Sequence, residues 1–203
     1  MHQFSYKGDL IGGSLMVRES RVVAELLLCR ATPEQWQTEI VQENRLQKRT
    51  PATAMRHTHT LRRRLEQLDE PFWRALRDGD DELASQVVFC AVLEGNLLLV
   101  EFMETVVKDA FTTHAERLEQ YQWHDFFEER SFRDPSLAEL AEVSRKKIGQ
   151  VVFRMLADVG LLKSTRSLRL QHLLVRPEIK ALLKDSHRHR ILSCLEVSSA
   201  TAE

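Results

Sequence analysis

The side chains in this sequence with the type and spacing to hold a polyanion fall in two clusters. The first is Arg45, Lys48, Arg49, Thr50, Thr53, Arg56, His59, Thr60, Arg62, Arg63 and Arg64. The second is Ser144, Arg145, Lys146, Lys147, Gln150, Arg154, Lys163, Arg166 and Arg169. Guanidinium and ammonium groups bind phosphate oxygens, while hydroxyls, imidazole and amides supply directional hydrogen bonds to base edges. Neither chemistry needs a cofactor or a metal, and none is expected.

Spacing sharpens the first cluster. At about 100° per residue, Ala54, Thr58, Leu61, Leu65 and Leu68 share one helix face, which should pack inward. Arg56 and Arg63 lie opposite, with Ala52, His59 and Thr60 beside them and Thr53 on the flank. Arg62 and Arg64 sit at the two borders. A DNA recognition helix needs this layout: an apolar back, donors near its N-terminus, and basic flanks. Backbone N–H groups at the helix start, around Thr50 and Thr53, would add a phosphate site. In the second cluster, Ile148, Val151, Val152, Met155, Leu156 and Val159 make the buried stripe. Lys146, Gln150 and Ala157 oppose it, and Lys147 and Arg154 border it. Amphipathic helices with ordinary surface bases would show the same pattern.

The elements that must position these side chains are nearly all helical. Thr32-Pro33-Glu34-Gln35 supplies an N-cap, a proline at the first helical position and a reciprocal Gln, starting a helix that reaches about Asn44. Thr50-Pro51 repeats the device for a helix to about Leu68, after a basic turn at 45–49. Further helices are expected at 18–29, 70–77, 82–93, 97–112 and 122–130, with 82–112 as an apolar hairpin. Ser136-Leu137-Ala138-Glu139 reads as a capping box for a short helix, followed by a longer one from Ser144 to Val159, ended by Gly160. Leu161-Leu162 and 168–175 flank Ser164-Thr165-Arg166-Ser167 and suggest a β-hairpin. A helix over 177–184, a basic tail at His187-Arg188-His189-Arg190 and a frayed end from Ser198 complete the chain. The fold class expected is all-α, a multi-helix globule with two helix-turn-helix elements, the C-terminal one winged by that hairpin. The division expected is 1–68, an acidic helical core at 69–133, a winged region at 134–195, and a flexible tail at 196–203.

Total charge conceals this organisation. The chain of 203 residues holds 29 Lys+Arg against 30 Asp+Glu, a formal net charge of −1 that taken alone argues against nucleic acid. Yet residues 44–65 hold seven Lys/Arg and no acid, and residues 144–190 hold twelve against Asp158, Glu178 and Asp185. Between them, residues 66–143 hold six bases and nineteen acids. Two acid-poor blocks on helix-turn-helix patterns favour a polyanion.

Other function classes lack residues to carry them. Gly12-Gly13-Ser14 has no following Gly-Lys-Ser/Thr, and no GxGxxG occurs. Asp78-Gly79-Asp80-Asp81-Glu82 lacks the ligand spacing of an EF-hand loop and fits a helix start. The histidines form no zinc pattern, since His57 and His59 point in different directions on a helix. Cys29, Cys90 and Cys194 form no CxxC pair and read as reduced, mostly buried thiols of a cytoplasmic protein. The apolar stretch 87–107 is interrupted by Glu94, Glu101 and Glu104, which argues against a membrane span. No heptad seam suggests a coiled-coil dimer, so a monomer is expected. The expectation is not an enzyme.

Seven segments also resemble a known family. Gly8-Asp9-Leu10, Gly13-Ser14-Leu15, Glu19-Ser20-Arg21-Val22, Thr50-Pro51-Ala52-Thr53-Ala54, residues 65–69, Gly149-Gln150-Val151-Val152-Phe153-Arg154 and Thr165-Arg166-Ser167-Leu168 are similar to the BrxA family. Its members are small proteins of bacteriophage exclusion (BREX) phage-defence systems. The similarity runs in order from about Ser5 to Leu195. It implies an all-helical protein with helix-turn-helix elements that binds double-stranded DNA. It also implies a genomic setting beside a methyltransferase, an ATPase and other defence components, which are candidate partners. The contact residues named above rest on helix faces alone. The main alternative is a protein–protein adaptor that uses the acidic body. RNA binding is disfavoured, because aromatic residues do not interleave with the basic blocks.

Overall fold

A computed structural model describes Tyr6 and residues 13–199. Gly8-Asp9-Leu10 and most of the expected frayed tail, 200–203, lie outside the described residues. In chain order the helices are α1 (Val17–Leu28), α2 (Pro33–Gln37), α3 (Pro51–Leu65), α4 (Glu70–Asp78), α5 (Asp81–Glu94) and α6 (Leu97–Phe102). They continue with α7 (Lys108–Thr112), α8 (Gln120–Ser131), α9 (Pro135–Ala138), α10 (Glu142–Val159), α11 (Pro177–Asp185) and α12 (His189–Leu195). Turns of π-helix extend α2 over Thr38–Gln42 and join α6 to α7 over Met103–Val107. No strand forms among the described residues, so the all-helical class holds without the expected hairpin strands.

Two compact units share this chain, and neither is contiguous. One gathers Leu15–Gly95 and Arg176–Ser186. The other gathers Asn96–Val175 and the described parts of Met1–Ser14 and His187–Glu203. The stretch 69–133 therefore contributes to both. The expected apolar hairpin is also divided, because α5 belongs to the first unit and α6 to the second. No single helix among the described residues is long and apolar enough to cross a membrane.

In the first unit, caps fix where helices begin. Thr32 accepts from the Gln35 N–H at 3.3 Å while Gln35 Oε1 accepts from the Thr32 N–H at 2.7 Å, closing the expected capping box. Thr50 accepts from the Thr53 N–H at 3.2 Å, with Pro51 at the first helical position. Between these helices the chain turns on Asn44, whose φ is 47°. Its side-chain amide accepts from the Lys48 N–H and donates to the Lys48 carbonyl, both at 2.9 Å. Leu46 drops from that turn into a core with Leu26, Ile40 and Ala54. Arg21 donates to the carbonyls of Leu76, Arg77 and Gly79, satisfying the open end of α4. Residues Leu83 to Leu93 of α5 are all buried, as expected of a helix apolar all round. α11 packs on α4 and α5, and Arg176 just before it pairs with Asp80 at 2.7 Å and Glu178 at 3.0 Å.

In the second unit, Phe102 is the hub of an aromatic core. Trp123, Phe126 and Phe153 meet it edge-on, with ring centroids 5.0, 5.2 and 6.4 Å away. Tyr6 is pinned nearby, its hydroxyl donating to Glu101 and its backbone N–H to Asp134. Burial, then the Glu101 carboxylate, push its phenol up to about 12. Asp134 also caps α9 by accepting from the Ser136 N–H at 2.9 Å, so the expected box on Ser136 is corrected. α10 begins two residues earlier than expected and ends at Gly160 in the left-handed conformation, φ 95°. The expected basic tail at 187–190 leads into α12, where Arg190 forks onto Glu104 with two 2.7 Å hydrogen bonds. The tail expected from residue 196 is ordered through a 3₁₀ turn at Glu196–Ser198, where Ser198 is buried and accepts from the Leu173 N–H. Of the three thiols, Cys90 and Cys194 are buried and Cys29 is exposed.

Candidate nucleic-acid interface

Each unit presents one of the two basic clusters. On α3 the predicted inward face is the observed one: Ala54, Thr58, Leu61 and Leu65 are buried. Outward stand Arg56, His59, Arg62 and Arg63, with Ala52 and Met55 beside them, while Thr53 and Thr60 are half-buried. Arg49 and Thr50 are exposed at the helix start, where no acidic residue occupies the first turn. Arg49 and Arg56 have no carboxylate partner among the described residues.

The remaining bases of this cluster are engaged. Arg45 bridges Glu25 at 2.6 Å and Glu39 at 3.0 Å, and Lys48 meets Glu19 at 2.6 Å. Burial pushes the Glu19 carboxyl upward, but the Lys48 hydrogen bond and charge hold it below its ordinary value. Arg62 pairs with Glu66 and stacks over Trp36, 5.2 Å from the ring centroid. Arg64, expected at a border, is only 5 % exposed and belongs to the inward face. It is withdrawn from the outer surface, because tertiary packing covers a wider arc of α3 than the apolar residues alone mark. His57 was not among the predicted contacts. Burial, then the charges of Lys48 and Arg56, push its imidazole below the ordinary value, so it adds no charge at neutral pH.

On α10 the buried stripe is Ile148, Val152, Met155, Leu156 and Val159, joined by Gly149 and Phe153. Val151 is half-buried, and Lys146, Lys147, Gln150 and Arg154 are exposed. None of those three bases has an ion-pair partner among the described residues. Ser144 is half-buried, and Arg145 turns back instead of outward. It donates to the carbonyls of Leu140 and Ala138 and lies over Phe127, so it ties the α9–α10 turn.

After Gly160 the chain makes two antiparallel bridges, Leu162 with Leu170 and Arg117 with Arg169. Lys163 N–H donates to Arg169 and Gln171 N–H to Leu161, both at 2.9 Å, around a turn held by Ser164 and Ser167. On the other side Leu118 N–H donates to Leu168 and Leu170 N–H to Glu116. Residues 116–118 lie between the helices expected at 97–112 and 122–130, and their pairing is too short to form strands. Lys163, Arg166 and Arg169 are exposed here with no ion-pair partner among the described residues.

The sequence relatives are consistent with one another. A sequence model of the BrxA family matches residues 5–187. "BREX protein BrxA" of Paramagnetospirillum magneticum is 34% identical, covering 95% of this chain and 97% of its own length. The protein of the same description from Escherichia coli O9:H4 (strain HS) is 35% identical, over 93% and 89%. A crystal structure of an uncharacterized protein from Magnetospirillum magneticum superposes with a TM-score of 0.86 at 32% identity, covering 95% of this chain and 99% of that one. The agreement spans both units and both basic clusters: this chain belongs to the BrxA family.

Proposed function

We propose that this protein is a non-enzymatic, double-stranded-DNA-binding component of a BREX phage-defence system. The description of its relatives supports the BREX assignment. One observation carries the DNA reading: most of the exposed bases without carboxylate partners among the described residues lie at the start and outer face of α3, on the outer face of α10 and on the turn after α10. Arg49, Arg56, Lys146, Lys147, Arg154, Lys163, Arg166 and Arg169 are available to phosphate, whereas Arg45, Lys48 and Arg145 position the turns that aim them. In this reading α2 and α3 act as a helix-turn-helix. α9 and α10 act as a second, and the paired segment 161–171 is its wing. Thr50, Thr53, His59, Thr60 and Gln150 supply hydrogen bonds. The protein works as a monomer in the cytoplasm, alongside the methyltransferase and ATPase of its system.

Fluorescence anisotropy with a labelled duplex across a salt series tests this reading. Affinity falls steeply with salt, each phosphate contact adding about 0.9 to the log–log slope. Arg56→Glu combined with Arg154→Glu removes most of the binding. Binding that ignores salt, or that survives the double variant, defeats the proposal. A second reading, an adaptor, is favoured by Phe132, which is 91 % exposed beside the acidic outer face of α8. Partners retained in nuclease-treated pull-downs by the double variant and lost with Phe132→Ala support it.

A further inference from the structure

A cleft of about 790 Å³ opens between α8 and the first half of α10, within the second unit. That volume lies in the range of small-molecule sites. Trp123, Phe127 and Phe153 supply aromatic wall, and Lys146, Gln150 and His124 stand at the rim. Gly149 lets the indole approach α10: a Cβ there would stand 2.5 Å from Trp123 Cδ1 and 2.7 Å from its Nε1. Trp123 is 5 % exposed, and its Nε1–H has no acceptor among the described residues. Trp73 shows the ordinary outcome, its indole donating to the Leu65 carbonyl at 2.8 Å. A buried donor without an acceptor is costly, and a ligand atom that accepts from it recovers that cost on binding.

Charge narrows the ligand further. Arg145 reaches the cleft but spends its donors on the Ala138 and Leu140 carbonyls, and Glu128 stands within 3.8 Å of His124. Lys146 has no ion-pair partner among the described residues, and Glu142 is the remaining rim carboxylate. Two donors without partners, the Lys146 ammonium and the Trp123 Nε1–H, beside an aromatic wall suit one negative charge on a flat apolar body. We propose that this cleft binds a one- or two-ring aromatic carboxylate. Its ring lies against Phe127 and Phe153, one carboxylate oxygen accepts from Trp123 Nε1–H, and the carboxylate pairs with Lys146. Lys146 and Gln150 also belong to the DNA face of α10, so occupancy weakens duplex binding, a consequence that rests on the DNA reading.

Isothermal titration of the whole protein with 2-naphthoate, without DNA, tests the site. Saturable one-to-one binding is expected, with a dissociation constant below about 1 mM for a ligand of that size. The neutral 2-naphthamide binds at least about ten-fold more weakly, the scale of one lost charge-assisted contact. Lys146→Ala, an exposed change that spares the fold, removes that preference. Gly149→Ala closes the cleft and abolishes binding while the helical circular-dichroism signal is retained. Absence of saturable heat, equal binding of acid and amide, or indifference to Lys146→Ala overturns the proposal. Repeating the duplex titration at saturating 2-naphthoate separates the two readings. A protein that binds naphthoate but never DNA retains the site and loses the DNA function, and unchanged duplex affinity removes the coupling.

Discussion

Arg49 and Arg56 differ from Arg45 and Lys48 in what stands beside them. The first pair faces solvent, while Glu25, Glu39 and Glu19 occupy the second at 2.6 to 3.0 Å. A base already neutralised by a carboxylate releases few counterions when phosphate arrives. Arg56→Ala should therefore lower the salt slope of duplex binding by about one, whereas Arg45→Ala leaves the slope unchanged and lowers the urea midpoint. Anisotropy and urea titrations on the two variants distinguish these outcomes. At Glu104, the hydrogen bonds from Arg190 hold the carboxyl below its ordinary value, against a smaller upward push from burial. Such a group stabilises the fold fully above its unfolded-state value and loses that contribution as pH falls through the folded one. Glu104→Gln should flatten the acid side of a plot of unfolding free energy against pH, and an unchanged plot removes the pair from the stability account. The types and spacing of the basic residues were legible in the sequence. Which of them are occupied was not, because two of the three acids responsible, Glu25 and Glu19, lie 20 or more residues away from Arg45 and Lys48, on α1.

At the scale of elements, most cap and stop signals held, although Asp134 replaces Ser136 as the cap of α9. Thr32, Thr50 and Gly160 mark the ends that the sequence assigned them, since a cap needs only its own turn. Thr50→Ala should cost about 1 kcal/mol of stability through the lost acceptor for Thr53 N–H. Gly160→Ala should cost about 1 kcal/mol or more, because an alanine at φ 95° is strained. Chemical denaturation at neutral pH measures both, and a neutral Gly160→Ala would mean the α10 end relaxes freely. Elements defined by distant partners were not legible. Residues 116–118 show no alternation, and they pair with 168–170 only because the fold brings the two segments together. α12 has no clear start signal, because His187-Arg188-His189-Arg190 covers it, and its apolar face is four buried residues, Ile191, Leu192, Cys194 and Leu195. Arg64 shows the same limit on a helix wheel, which idealises where a neighbour will lie.

For the whole molecule, the sequence suggested consecutive regions, and the contacts join segments far apart in the chain. The unit that carries α3 is completed by α11, whose Ile179 and Leu183 are buried against α4 and α5. Burying two such side chains is worth about 3–6 kcal/mol, comparable with the stability of a small domain. A fragment ending at Gly95 should melt well below the same fragment carrying residues 176–186 on a flexible linker, as read by circular dichroism. Equal melting would place α11 outside that unit. The chain passes from one unit to the other at residues 14/15, 95/96, 175/176 and 186/187. During synthesis the consequence falls on timing. The first unit stays open until residue 186 has left the ribosome, and the second until α12 has followed. A polypeptide stalled anywhere earlier exposes unfinished apolar surface in both halves, and so the units that carry the basic faces of α3 and α10 both close only near the end of translation.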